Sequence, residues 1–230
     1  MTGFPILSLM LAIPAVAAVL ALFAGERAAR WIALVATFVD LALGIVLWAN
    51  FQMGPDAPQW QFVESRLLFG QPGGVGFSWA LGIDGFALLL ILLSVFLMPI
   101  CIGASWESVK TRVPEYMAAF LATEVLMIGT FAAQDLFLFY IFFEGGLIPM
   151  FLIIGIWGGA NRIYASYKFF LYTLVGSLVM LIAMIYMVTS TGTSSIPTLM
   201  AHDFPVQVQT LLWLAFFASF AAPPMLPTIR

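Results

Sequence analysis

The sequence predicts an all-α, polytopic integral membrane protein with about seven transmembrane helices. Of its 230 residues, 63% are hydrophobic and only 8% are charged, and the apolar residues fall into runs of membrane-spanning length. A soluble domain carries about 25% charged residues, so this chain has too few charges to cover a water-exposed surface. The solvent that the composition predicts is lipid.

The predicted spans are apolar runs of about 20 residues, because a helix that rises ~1.5 Å per residue needs that length to cross a bilayer core. They lie at residues 4–24, 31–49, 85–104, 115–133, 136–157, 164–189 and 208–222. No Lys or Arg precedes the first run, so we interpret it as a retained helix and not as a signal peptide.

The segment between the second and third spans, 50–83, is predicted to be a polar loop because it is rich in Gly, Pro and Gln. Within it, residues 59–69 are expected to form a small extended hairpin in the aqueous phase. We expect this loop to be structural.

The orientation follows from basic residues, which favour the cytoplasmic side of short loops. They occur after the first, third and fifth spans, as Arg27 and Arg30, Lys110 and Arg112, and Arg162 and Lys168. The alternate short loops lack Lys and Arg. The pattern predicts a periplasmic N-terminus, and a bacterial cytoplasmic (inner) membrane fits best.

Several classes of function are disfavoured by the composition. The 8 basic and 11 acidic residues give a net charge of −3 without a clustered basic face, so nucleic acid is not an expected partner. A single cysteine, Cys101, provides no spacing for a metal or an iron–sulfur cluster. No phosphate-binding glycine motif is present. His202 lies beside Asp203 in a polar loop and is interpreted as solvated in preference to a proton-entry or metal role.

Three acidic residues interrupt the predicted spans: Asp40, Glu124 and Glu144. Each costs about 2.5–3.5 kcal/mol to insert, so each needs a reason to be there. Glu124 and Glu144 lie ten residues before and ten residues after the tight connection at 134–135. Both carboxyls are therefore expected ~15 Å deep on adjacent antiparallel helices, which suggests a proton site. The alternative is that they cap a helix contact through Ser or Thr; for Asp40, a packed polar contact and a relay role remain open.

The residues that follow Glu144 favour a break in the helix. Gly145 and Gly146 permit close approach, and Pro149 cannot donate a hydrogen bond to the carbonyl of Gly145. In lipid, such a carbonyl must be satisfied by a neighbouring helix or by water. We therefore predict a hydrated pocket at mid-membrane, with a kink used only for packing as the alternative.

Lys168 is the basic residue that could act on Glu144. Desolvation raises the pKa of a buried carboxyl and a nearby cation lowers it, so a lysine that moves can load or release a proton. Counting along the helix places Lys168 ~12 Å short of the depth of Glu144, so water would have to intervene. A lysine that reaches back to the membrane surface is the alternative.

Four sequence blocks resemble one family closely. They are Gly-Ile-Asp-Gly at 82–85, Met-Pro-Ile-Cys-Ile at 98–102, Phe-Tyr-Ile-Phe-Phe-Glu-Gly-Gly-Leu-Ile-Pro-Met at 139–150 and Tyr-Lys-Phe-Phe-Leu-Tyr-Thr at 167–173. They are similar to the antiporter-like membrane subunits of NADH-quinone oxidoreductase, in particular bacterial subunit M and its counterpart, subunit 4 of mitochondrial complex I. The resemblance extends from residue 1 to about 221.

This resemblance implies a membrane-arm subunit that takes part in proton translocation coupled to electron transfer from NADH to quinone. The glutamate that matches Glu144 would work with a lysine on the seventh helix, and the positions that match Glu124 and Lys168 are also charged. The subunit would bind no cofactor, since NADH, FMN, the iron–sulfur clusters and quinone belong to partner subunits. Its expected partners are the other membrane-arm subunits and the lipid bilayer.

The resemblance also sets the predicted domain organisation, a single membrane domain over 1–230. Residues 1–110 would hold three N-terminal helices with the polar loop at 50–83, residues 111–222 an incomplete first antiporter-like repeat, and residues 223–230 an aberrant tail. Family members have about fourteen helices in inverted repeats. The helix-seven lysine and the Pro-x-x-Pro motif of the family are replaced by the sequence at 222–230.

We therefore expect a truncated or frame-shifted product of this family, the N-terminal half of such a subunit. Two other hypotheses remain open. One is a subunit of a multisubunit sodium/proton antiporter, which shares the architecture. The other is a non-transporting structural or assembly fragment, which the missing lysine and repeat favour.

Overall fold

A computed structural model describes residues 5–55, 57–70 and 76–221. These residues form helices joined by short connections, with one two-stranded sheet between the second and third helices. The elements are α1 (Ile6–Phe23), α2 (Glu26–Ala49), β1 (Gln61–Gly70), β2 (Gly76–Ile83), α3 (Gly85–Ser105), α4 (Val113–Ala132), α5 (Leu136–Gly145), α6 (Leu147–Trp157), α7 (Arg162–Thr191), α8 (Ile196–Met200) and α9 (Val206–Ala221).

The membrane prediction is confirmed as a mostly helical membrane protein. In the part of the chain that the structure describes, six spans are long and apolar enough to cross a bilayer, with α5 and α6 counted as one. The seventh predicted span, α9, is shorter, at 16 residues. Large apolar side chains project outward, for example Phe86 at 71% and Ile182 at 69% exposure. Lipid is the solvent that such a surface requires.

The polar loop contains a β-hairpin, as predicted, but with different bounds from those expected. Residues 59–69 were predicted to hold both strands, but they contribute only to β1, and β2 is the partner strand. Alternating apolar residues favour a strand with one packed face. Phe77, Trp79, Leu81 and Ile83 follow this pattern in β2, and Leu81 and Ile83 are fully buried.

The chain divides into two compact units, and the first contains Met1–Arg66 and Ala80–Ala133. Here Ala21, Ala29 and Ala118 pack together, from the end of α1, the start of α2 and the start of α4. Small residues let helix backbones approach closely. Because the starts of α2 and α4 meet in this cluster, the two helices run in the same direction. The guanidinium of Arg30 donates to the carbonyl of Val109, just before α4, at 3.0 Å, which agrees with that direction.

The hairpin supplies the cap that the first helix lacks. Pro5 precedes α1 and offers no side-chain acceptor. The Glu64 carboxylate on β1 instead accepts hydrogen bonds from the backbone N–H groups of Leu7 at 2.8 Å and Ser8 at 3.0 Å. Helix N-terminal N–H groups have no intrahelical partner and favour negative charge. Glu64 therefore fixes the start of α1 to the aqueous loop.

The second unit contains Leu67–Trp79 and Gln134–Arg230. Its apolar core is a cluster of buried residues from α5, α7 and α8, namely Leu136, Met180, Met184, Val188 and Leu199. The short helix α8 is absent from the prediction. The predicted antiporter-like segment, 111–222, includes α4. By packing, α4 belongs with α1–α3 in the first unit. The division of the sequence at residues 110–111 stays a prediction. The predicted tail at 223–230 lies outside the described residues.

Candidate functional site around Glu144

The helix that carries Glu144 is interrupted one residue beyond Gly145. α5 ends at Gly145 and α6 begins at Leu147. Gly146 between them keeps helical angles, φ −60° and ψ −24°, and its N–H donates to the carbonyl of Phe142 at 3.1 Å. Pro149 lies in the first turn of α6, where a missing N–H costs little. The interruption therefore affects the hydrogen bonding more than the backbone conformation.

Gly146 does not serve the close helix approach that the sequence predicted for the Gly–Gly pair. A Cβ added there would have as its nearest neighbours the carbonyl oxygens of Phe143, at 3.3 Å, and Phe142, at 3.8 Å. Both belong to the preceding turn of the same span. A side chain at this position would therefore meet only its own span. Among the described residues, no other helix lies within 4 Å of the added Cβ.

Glu144 is half-buried, and its Oε1 atom is buried without a hydrogen-bond partner among the described residues. Its carboxyl and the hydroxyl of Tyr140, one turn earlier on α5, both lie close enough to Ser177 on α7 to interact with it. Ser177 is 1% exposed, and its hydroxyl donates to the carbonyl of Leu174 at 2.9 Å. Glu144, Tyr140 and Ser177 therefore form one polar cluster between apolar helices.

Tyr140 and Ser177 are functional candidates that were not predicted from the sequence. A tyrosine four residues before Glu144 shares its helix face, and that signal was available. Nothing in the sequence places Ser177, 33 residues later, opposite the glutamate. The alternative prediction, a carboxyl that contacts Ser or Thr on a neighbouring helix, does describe this contact. The unpartnered Oε1 atom leaves the carboxyl with capacity for a further donor.

Replacement of Ser177 by alanine is expected to change the hydrogen bonding of Glu144 without removing its carboxyl. Infrared spectroscopy of the chain in lipid nanodiscs should show a shift of the Glu144 carboxyl band, assigned by its loss in Glu144→Gln. Ser166→Ala is the matched control, because Ser166 is also buried on α7 and its hydroxyl donates, within the described residues, to the carbonyl of Ile163 in its own helix. An unchanged Glu144 band in Ser177→Ala would contradict the contact.

Lys168 also lies on α7, nine residues before Ser177, or ~13 Å along the helix. Its Nζ atom stands over the ring of Tyr164, 5.7 Å from the ring centroid. Tyr164 is one turn nearer the start of α7, so the ammonium lies on the side away from Ser177. This position favours the alternative of a lysine that reaches back toward the membrane surface. A tuning role toward Glu144 stays a prediction.

Glu124 and Asp40 belong to the first unit, where they lie on α4 and α2. Both side chains are completely buried, and no hydrogen bond from the described residues reaches their carboxyl oxygens. The alternative prediction requires a Ser or Thr that bonds to the Glu124 carboxyl. Within residues 5–55, 57–70 and 76–221, no such hydrogen bond is present. The predicted pairing of Glu124 with Glu144, which lies in the second unit, stays a prediction.

His202 lies in the loop between α8 and α9. The His202 ring packs edge-on against Phe204, with 4.6 Å between the ring centroids. Among the described residues, no three or more His, Cys, Asp or Glu side chains are grouped to hold a metal ion.

Two family profiles match adjacent parts of the chain. Residues 61–133 match "NADH-ubiquinone oxidoreductase chain 4, amino terminus", and residues 133–227 match "NADH:quinone oxidoreductase/Mrp antiporter, TM". The second family consists of antiporter-like membrane subunits, which carry no redox cofactor. The junction between the two matches falls at Ala133, between α4 and α5.

Similar proteins align with nearly all of this chain. The chain itself spans less than half of their length. NADH-quinone oxidoreductase subunit M of Rhodobacter capsulatus is 52% identical over 218 residues, which is 89% of this chain and 41% of that protein. A chain of respiratory complex I from Thermus thermophilus superimposes with a TM-score of 0.75 at 30% identity, over 94% of this chain and 43% of that one.

The same fold also occurs in a more distant assembly. A chain of the Mrp complex of a Dietzia species has a TM-score of 0.76 at 17% identity, over 93% of this chain and 23% of that one. At this level of identity the likeness concerns the fold alone.

Proposed function

We propose that this chain, which is a homologue of NADH-quinone oxidoreductase subunit M and chain 4 along 89% of its length, takes part in proton translocation coupled to electron transfer from NADH to quinone. The chain spans about two fifths of its curated relatives, 41% of the Rhodobacter capsulatus protein. The activity of a whole subunit is therefore part of the proposal.

The proposal rests on the surroundings of the Glu144 carboxyl. Its carboxyl lies within a membrane span, at an interruption of the helix, with one buried oxygen that no described donor satisfies. Ionisable residues inside membrane spans are costly and mark proton and ion pathways. A carboxyl with free acceptor capacity beside two hydroxyl groups can take up a proton and pass it along hydrogen bonds.

In this proposal, Glu144 binds and releases the proton. Tyr140 and Ser177 hold its carboxyl and offer O–H groups that both donate and accept. Glu124 is proposed as a second carboxylate and Lys168 as a relay or tuning cation, and Gly145, Gly146 and Pro149 provide the helix break.

The oxidation of NADH would take place in other subunits. We propose that partner chains of complex I hold NADH, FMN, the iron–sulfur clusters and quinone, and that membrane-arm subunits pack against this chain. The alternating basic loops support insertion into a bacterial cytoplasmic membrane with a periplasmic N-terminus.

Co-purification tests this assignment. An affinity-tagged chain, solubilised in mild detergent from its native membrane, is expected to carry NADH dehydrogenase subunits with it. Recovery of sodium/proton antiporter subunits instead would favour the second candidate, which the shared family profile and the fold of the Mrp complex support. Recovery of neither set would contradict the proposal and favour a non-transporting fragment. Proton uptake into liposomes that contain the purified chain would then argue against an inert fragment.

A further inference from the structure

A buried aspartate at the start of α5 uses its two oxygens for different contacts. Asp135 is 2% exposed. Its Oδ1 atom accepts hydrogen bonds from the N–H groups of Phe137 at 3.0 Å and Leu138 at 3.1 Å, which is the bonding of a helix cap. Its Oδ2 atom accepts instead from the hydroxyl of Ser194, at 2.6 Å. The capping role therefore accounts for one oxygen of this carboxyl and not for the other.

The Ser194 hydroxyl has two acceptors for its one proton. Besides Oδ2 of Asp135, the carbonyl oxygen of Gly76, the first residue of β2, lies 2.8 Å from the Ser194 oxygen. A hydroxyl donates a single hydrogen bond, but its oxygen can also accept. Ser194 is 3% exposed, so protein groups surround it and bulk water has little access. All three residues belong to the second unit.

This arrangement can satisfy the carboxyl in two protonation states. When Asp135 is ionised, Ser194 donates to Oδ2. When Oδ2 carries a proton, its O–H group can donate to the Ser194 oxygen, and the Ser194 hydroxyl can then donate to the carbonyl of Gly76. The contacts of Oδ1 with the N–H groups of α5 are the same in both states. Neither state leaves the buried carboxyl or the buried hydroxyl without a partner, which would be costly.

Within the described residues of this unit, no other charged side chain bonds to Asp135. The segments that bond to Asp135 or Ser194, residues 76–79 and 191–200, contain no Asp, Glu, Lys, Arg or His. The helix α9 contains none either. The other titratable groups on α5, near the end of α7 and between α8 and α9 are Tyr140, Glu144, Tyr186, His202 and Asp203.

A proton fits this site better than a metal ion. Divalent cations such as Ca²⁺ and Mg²⁺ take about six or more oxygen ligands, usually with several carboxylates among them. Asp135 supplies one carboxylate, and the described residues bring no group of three or more His, Cys, Asp or Glu side chains together. Oδ2 has a hydroxyl beside it that can reverse its hydrogen bond, which is what a proton requires.

We propose that Asp135 binds a proton on Oδ2 and that Ser194 then turns its hydroxyl from Asp135 to Gly76. The proton comes from water and forms an O–H bond with Oδ2; no other covalent bond changes, and the charge of the carboxylate is cancelled. Proton binding at the start of α5 is thereby transmitted to a backbone carbonyl of the hairpin. The site lies ~14 Å from Glu144 along α5 and does not rest on the proposed role of Glu144.

Solid-state NMR of the whole chain in lipid bilayers tests this exchange of hydrogen bonds. Glycine labelled with ¹³C at the carbonyl and phenylalanine labelled with ¹⁵N give a joint signal only from Gly–Phe pairs, which occur at 3–4, 76–77 and 85–86. Phe77→Leu assigns the Gly76 signal by its loss, and Asp135→Asn assigns the ¹³C-labelled carboxyl of Asp135 in the same way. As the pH falls, the Gly76 carbonyl signal is expected to shift together with the Asp135 carboxyl signal, with one midpoint.

Three variants separate the exchange from other effects of acid. Asp135→Asn places an amide N–H group where it can donate to Ser194, so the Gly76 signal should stay at its low-pH position at every pH. Ser194→Ala removes the hydroxyl and should make the Gly76 signal independent of pH. Glu144→Gln should leave the response of Gly76 unchanged, so failure of the proposed role of Glu144 is distinguishable from failure of this site.

Two results would overturn the proposal. One is an Asp135 carboxyl that stays ionised at every pH at which the chain is folded. The other is a Gly76 signal that does not follow the protonation of Asp135, or that still follows it in Ser194→Ala.

Discussion

Glu144→Gln, made within the membrane complex that contains this chain, is expected to abolish proton translocation, with a loss of about 100-fold or more. An amide keeps the volume of the side chain and one acceptor oxygen but cannot take up and release a proton, and a positioned acid–base group contributes about 10²–10⁴-fold to proton transfer. The measurement is the initial rate of proton translocation in inverted membrane vesicles after NADH is added, followed with a pH-sensitive dye.

Glu115→Gln is the matched control for this experiment. Glu115 lies in the first turn of α4 and its exposed carboxylate pairs with Arg112 at 3.2 Å, an arrangement that contributes little to stability. This variant should translocate protons at the wild-type rate. Wild-type translocation by Glu144→Gln, in complexes that contain a normal amount of the chain, would show that Glu144 is not the proton-binding residue.

Asp135→Ala is expected to produce a large loss of stability in the second unit. The Asp135 carboxylate caps α5 by accepting from the N–H groups of Phe137 at 3.0 Å and Leu138 at 3.1 Å, and it accepts from the Ser194 hydroxyl at 2.6 Å. Alanine would leave the two backbone N–H groups without this acceptor, whereas the Ser194 hydroxyl could still donate to the carbonyl of Gly76, 2.8 Å away. Loss of the cap and the unsatisfied donors together should cost about 2–4 kcal/mol.

Unfolding of the purified chain by a graded increase of denaturing detergent measures this effect. Asp135→Asn keeps an acceptor oxygen and should recover much of the lost stability. Asp203→Ala is the neutral control, because Asp203 lies exposed in the loop before α9. If Asp135→Ala were as stable as Asp203→Ala, the connection between Asp135 and Ser194 would contribute nothing to stability.

The connection around Asp135 also shows where prediction from sequence stopped. The sequence reading treated 134–135 as a tight turn between two spans. In the structure, Leu136 N–H donates to Ser194 O and Ile196 N–H donates to Gln134 O, both at 2.8 Å, so a second segment pairs with that turn. These pairs are 58 and 62 positions apart in the sequence, so they approach each other only through packing, and no local pattern indicates such a contact.

The polar loop illustrates the same limit in another way. Turn-forming residues correctly marked a break between two spans, and the first strand lies close to the predicted hairpin. The second strand was missed because its apolar alternation continues almost directly into α3, and a short apolar run alone does not distinguish a strand from a buried helix. The role of Glu64 as the cap of α1 required the folded hairpin.

Composition and the length of the apolar runs were sufficient to identify a membrane protein and most of its spans. In lipid each span must satisfy its own backbone hydrogen bonds, so a helix is dictated by its own residues. Glu144 could be recognised by the same local argument, because an acidic residue in an apolar run is costly wherever its neighbours lie.

The partners of the buried acids were decided only by the packing of helices. Ser177 comes close to Glu144 because α7 packs on α5. A helix sequence specifies which side is polar, but not which neighbour covers that side. Side-chain contacts between separate helices depend on their rotation and depth, and these are set jointly by all the residues at the interface.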